Sequence, residues 1–170
     1  MPISLYQASI PAFVRGLTSL AAVLEKAKAH AAANNVNLQT YVDARLAPDM
    51  LTLAGQVQSS SDGAKFGAAR LARVTAPSFA DTETTFAELE ERIAKTLTFI
   101  SSVTEAEINA SEGGTVTLKL GGKEHTFNSE PYLLGFVLPN FYFHVTTAYD
   151  ILRNQGVPLA KMDYIGALPA

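Results

Sequence analysis

LPNFYFHVTTAYDILRNQG, residues 138–156, reads as a helix with punctuation at both ends. Pro139 suits a first helical turn, where its missing N–H costs nothing, and Gly156 suits the position just past the last turn. Val137, Phe141, His144, Ala148 and Ile151 recur at spacings of four, three, four and three, so they share one face. That face is apolar except for His144. A titratable ring on an apolar seam predicts a buried imidazole with a polar partner, because an unsatisfied one would cost roughly 1–3 kcal/mol.

Three more stretches carry the same periodicity. Over residues 4–34, Phe13, Leu17, Leu20, Leu24 and Ala27 form a seam, with Pro11 predicting a kink or a start and Asn34–Asn35 a stop. His30, near that stop, reads as a solvated histidine at a helix terminus. After a connector with a short helix at 38–44, Pro48 predicts the opening of a helix over 49–74 with Met50, Ala54, Val57, Ser61, Ala64, Ala68 and Leu71 inward. Gly63 and Gly67 inside it predict close packing. Thr85 and Glu88 form a capping box that starts a helix over 85–103, with Phe86, Leu89, Ile93, Leu97, Ile100 and Val103 as its seam and Glu90, Glu91, Arg92 and Lys95 as a solvated face. Thr115–Leu120 and Lys123–Phe127 flank Gly121–Gly122, a hairpin signal that places His125 on an exposed strand. A short helical turn follows through Phe136, and the tail 157–170, with two prolines, reads as irregular and packed through Leu159, Met162, Tyr164 and Ile165.

Together these elements predict an all-α fold: one domain over 1–170, an antiparallel four-helix bundle with a small β-hairpin before the last helix. The 170 residues are 48% apolar and 17% charged, a globular composition able to bury about 70% of its unfolded surface. The net charge is -3 with no basic tract, which argues against nucleic acid as a partner. The chain has no cysteine, so thiolate ligands and a cysteine nucleophile are excluded. No secretory signal and no apolar run of about 18 residues is read, so no membrane span and a cytoplasmic location are expected.

The stretches RLAPDM (45–50), QVQ (56–58), SDGAK (61–65), ARL (69–71), LPNFYFHVTTAYDILRNQGV (138–157) and KMDYIG (161–166) resemble an uncharacterised bacterial and fungal family of unknown function, similar to a branch of the DinB-like (DinB/YfiT) four-helix bundles. The resemblance spans nearly the whole chain. It implies a relation to metal-dependent enzymes, some of them thiol transferases, whose site has three histidines: one from the second helix and two from the fourth. This chain departs from that pattern. No histidine lies between His30 and His125, and the residues four before and four after His144 are Asn140 and Ala148.

Gln58, Asp62 and Lys65, at i, i+4 and i+7, are either an exposed flank with Asp62 pairing to Lys65 or the polar wall of a cleft facing His144. Three functions are consistent with these residues. One is a binding or homodimeric protein without metal or other cofactor, with surplus apolar residues such as Phe143 and Tyr149 buried against a second copy. The second is a divergent enzyme or transferase centred on His144 as general base or sole imidazole ligand. The third is a carrier with an apolar pocket lined by Phe141, Tyr142, Phe143 and Tyr149. The site residues expected are His144 for catalysis and Gln58, Asp62 and Tyr142 for a small-molecule ligand, with His144 bonded through Gln58 or Asp62.

Overall fold

The computed structural model describes residues 3–167. Helix α1 spans Leu5–Asn34. Ser4 and Gln7 cap it reciprocally, so it begins six residues before Pro11 and passes through it. Gln7, whose carbonyl Pro11 cannot serve, is exposed to water. Asn35 closes the helix in the left-handed conformation at φ 54°. Helix α2 is Leu38–Val42 and α3 is Leu53–Ala72. The predicted opening at Pro48 is displaced. Thr52 supplies the better cap, its Oγ1 accepting from Gly55, and Leu53 N–H donates to the Ala44 carbonyl, which leaves Met50 in the preceding loop.

Helix α4, Phe86–Ser102, starts at the expected Thr85–Glu88 capping box. A further box, Thr104 with Glu107, nucleates α5, Glu105–Asn109. Strands β1, Thr115–Leu120, and β2, Lys123–Asn128, pair antiparallel with Thr115 opposite Asn128 and Leu120 opposite Lys123. Gly121 and Gly122 turn the chain between them at φ 56° and 80°. Helix α6, Ser129–Tyr132, continues through one π-helical turn, Leu133–Val137, into α7, Leu138–Asn154. Pro139 has no N–H for the Gly135 carbonyl and its ring crowds that oxygen. The chain widens there, Leu138 N–H donating to the Leu133 carbonyl, and the helix goes on without a break. The tail is more ordered than predicted: α8, Lys161–Ile165, packs on α1. Residues 168–170 of the expected irregular tail lie outside the described residues.

The four long helices α1, α3, α4 and α7 form the bundle, with the hairpin preceding α7. Helices α3 and α7 run antiparallel, since Gln56 meets His144 while Gly67 meets Val137. Helices α1 and α4 also oppose, since Lys28 pairs with Glu90 while Leu5 and Tyr6 N–H reach Glu112 and Asn109. Helices α3 and α4 run the same way: Ser61 bonds Thr96, and further along Ser111 bonds the Leu71 carbonyl. The connection 73–85 permits this, because thirteen extended residues reach about 40 Å, more than the ~30 Å of a twenty-residue helix.

The expected seams meet in one core: Phe13, Leu17, Leu20 and Leu24 of α1, Val57, Ala64, Ala68 and Leu71 of α3, Leu89, Ile93 and Ile100 of α4, and Phe141, Ala148 and Ile151 of α7 are all buried. By length and composition α1 could cross a membrane, with a mean hydropathy of 1.2 over its most apolar window. Half of that window is buried inside the bundle, and its apolar face is core.

Glycines set how closely the helices approach. A Cβ at Gly67 would stand 2.7 Å from Val137 Cγ1 and 3.0 Å from Phe13, whereas one at Gly63 would find Asn140 at an ordinary 3.5 Å. Gly67→Ala is therefore expected to lower stability by about 1–3 kcal/mol through overpacking. Gly63→Ala is expected to leave it unchanged or raise it by up to ~1 kcal/mol through helix propensity. Urea denaturation of the two variants checks the contrast.

Candidate functional site

Two polar clusters flank α3. The first lies against α4 and corrects the reading of Arg92 as a solvated charge. Arg92 is buried, because its side chain turns into the α3–α4 interface. Its Nε donates to Ser61 at 3.1 Å, its Nη2 pairs with Asp62 at 2.9 Å, and its Nη1 reaches Glu83 at 2.9 Å, Asp81 at 3.0 Å and the Ala80 carbonyl at 3.2 Å. Lys65 is buried too, pairing with Asp62 at 2.8 Å over the rings of Phe66 and Phe79. Burial works against the Arg92 cation, but Glu83, Asp62 and Asp81 outweigh it and hold the guanidinium pKa above its ordinary value. Burial likewise raises Glu83, and Arg92 with Gln58 more than reverses it, so the Glu83 carboxyl sits below the usual range.

This cluster takes up the predicted ligand residues. Gln58 donates to Glu83 at 3.0 Å, and Asp62 is bound by Lys65 and Arg92. Neither bonds His144. The expected pairing of His144 with α3 forms through Gln56, two residues nearer the helix start than Gln58: Nδ1 stands 2.7 Å from Gln56 Oε1. Gln56 is buried, and its amide nitrogen donates to the Leu51 carbonyl at 3.4 Å, which turns Oε1 to the ring. Nδ1 therefore carries the proton, and Nε2 keeps its lone pair. Nε2 has no partner among the described residues and is not among the buried unpaired atoms, so it meets solvent. Partial burial of the ring lowers its pKa.

The second cluster is a cleft of about 310 Å³ between α3, the π-helical turn, α7 and β1. His144, Asn140 and Asp62 stand at one end and Arg70 with Tyr132 at the other, with Phe66 and Phe136 along the wall. Tyr142 is elsewhere, lining a cavity with Arg15, Val145 and Tyr164 on the α1–α8 side. The proposed aromatic pocket does not assemble: Phe141 is buried against Phe13, Phe143 is 55% exposed, and Tyr149 packs on Tyr164 of α8 instead of standing free. His30 is not simply solvated, because its Nδ1 bonds the Tyr41 hydroxyl at 2.8 Å. The three histidines thus stand on α1, β2 and α7. Among the described residues, no three His, Asp or Glu side chains gather in a way that could hold a metal ion.

A family model described as "Domain of unknown function (DUF1993)" matches residues 5–165. Among solved structures, the chain is similar to a DinB family member protein from Shewanella denitrificans, at 39% identity and a TM-score of 0.90, over 98% of this chain and 94% of that one. No curated protein matches.

The lowered His144 pKa fixes a pH dependence. The unfolded chain takes up a proton near the ordinary imidazole value of 6.5, and the folded chain resists it. Stability is expected to be flat above that pH and to fall as pH drops through it, and His144→Gln is expected to remove this step. The Glu83 contribution, from a carboxyl below its ordinary 4.5, is lost only at lower pH in both proteins. Urea midpoints between pH 8 and pH 4 check the separation of the two steps.

Proposed function

Because the chain belongs to the DUF1993 family of DinB-like helical proteins, we propose that it binds a small molecule in the cleft beside His144, without a three-histidine metal centre, and works as a homodimer. The observation behind this reading is the His144 ring: Nδ1 held by Gln56, and an unpaired Nε2 lone pair facing solvent in a ring that lines a formed cleft. The donor set does not fit the site of the wider superfamily. Asn140 and Ala148 stand where further α7 ligands would be needed, and Asp62 already neutralises Lys65 and Arg92. One neutral imidazole with amides around it is a poor set for zinc. A second copy would cover Phe143, whose ring is exposed on α7.

The same ring supports a second reading, an enzyme in which His144 is the general base. A neutral imidazole of fixed tautomer with its lone pair toward a cleft is what proton abstraction needs.

A fragment titration followed by NMR tests the binding reading. Ligands are expected to shift the Asn140 side-chain amide and the His144 ring together, and shifts confined to other surfaces would contradict it. On the same sample, light scattering is expected to give a dimer mass and elemental analysis no stoichiometric transition metal. A monomer mass would reject the dimer, and stoichiometric zinc or nickel lost in His144→Ala would reject the metal-free site.

A further inference from the structure

The end of the cleft away from His144 holds a cation without a counter-ion. Arg70 lies in the last turn of α3 and has no carboxylate within ion-pair distance among the described residues. The buried cations Lys65 and Arg92 are both neutralised. Two contacts hold the Arg70 fork in place. Its Nη1 donates to the Tyr132 hydroxyl at 3.2 Å, and its guanidinium lies 5.1 Å over the Phe66 ring. Tyr132 is fully buried, and burial raises its phenol pKa above the ordinary value, so it serves as a neutral acceptor and not as a counter-ion. The other N–H groups of a guanidinium held on an aromatic face remain for a planar, bidentate anion.

The rest of the cleft sets the body of that anion. Ser59, Asp62, Phe66 and Arg70 are spaced along one strip of α3 about 16 Å long. Between the polar ends the lining is aromatic or aliphatic: Phe66 and Phe136, with Leu118 and Leu120 of β1. Lys119 of β1 also lines the cleft; it stands opposite Glu124 in the hairpin register and, like Arg70, has no carboxylate within ion-pair distance among the described residues. Asp62, eight residues from Arg70 and about 12 Å along the helix, is held by Lys65 and Arg92, so the His144 end offers no free cation to an acid group.

We infer that the cleft takes an elongated carboxylic acid with an apolar body, its carboxylate paired with Arg70 and its far end toward Asn140 and His144. This rests on the cleft being a binding site and assigns its ligand class and orientation. Binding by the uncharged control below separates the two ideas.

Calorimetry with octanoate, octan-1-ol and octylamine tests it. The three share an apolar body and differ in head-group charge. Octanoate is expected to bind about tenfold more tightly than octanol, the difference a charge-assisted pair supplies, with octylamine weakest. Arg70→Gln, which keeps an amide N–H for the Tyr132 hydroxyl, is expected to remain folded and to erase the margin between octanoate and octanol. If that variant does not fold, Arg70→Lys is read instead and is expected to narrow the margin, because an ammonium lacks the planar fork. Equal binding of octanoate and octanol, or a margin that survives in the folded variant, would overturn the anion assignment and leave the binding site standing. No binding of any of the three would overturn both.

Discussion

Arg92 brings its charge into the interface between α3 and α4 and takes up Asp62, Glu83 and Asp81 there. Moving a lone guanidinium out of water costs several kcal/mol, so the interface is stable only with these partners in place. Two of the three carboxylates, and the Ala80 carbonyl, belong to the connection 73–85. That connection runs back along the bundle and lets α3 and α4 point the same way. Phe79, from the same segment, lies 4.3 Å from Lys65 Nζ and 5.6 Å from the Arg92 guanidinium, closing the cluster from outside. One buried cation thus ties a long loop, a helix pair and the chain direction together.

The same cluster decides what the other side of α3 is made of. With Asp62 bound twice and Gln58 held by Glu83, no free carboxylate of α3 faces the cleft. Close approach at Gly67 brings α7 against α3, so Gln56, and not a charged residue, reaches the His144 ring. An amide partner leaves the imidazole neutral where a carboxylate would have favoured the imidazolium. The cleft is left with a neutral base at one end and an unneutralised arginine at the other, separated by aromatic surface. Chemical polarity along the cleft follows from charge pairing on its far side.

Much of this was legible in the sequence, and the exceptions have physical causes. The Thr85–Glu88 box and the four seams, apart from Met50 at the start of the second, are local signals of period and capping, and they fold as read. The inward turn of His144 also follows from its seam position. Its partner was misassigned by two residues, because Gln56 and Gln58 are the same residue type and only the rotation of α3 against α7 decides which of their two faces meets the ring. Arg92 sits among Glu90, Glu91 and Lys95 and looks like any exposed charge, since its carboxylates come from a loop and from a helix thirty residues away. Arg70 carried no pattern at all. Its meaning depends on Tyr132 and Phe66 meeting it in space.

The chemistry of the cleft depends on the state of one ring. It requires His144 to be neutral at pH 7 with the proton on Nδ1 and the lone pair on Nε2. Long-range ¹H–¹⁵N correlation spectra of the imidazole distinguish this directly, because protonated and unprotonated ring nitrogens resonate far apart. One protonated Nδ1 and one unprotonated Nε2 at pH 7 is the predicted result. A protonated Nε2, in the neutral or the cationic ring, would contradict it.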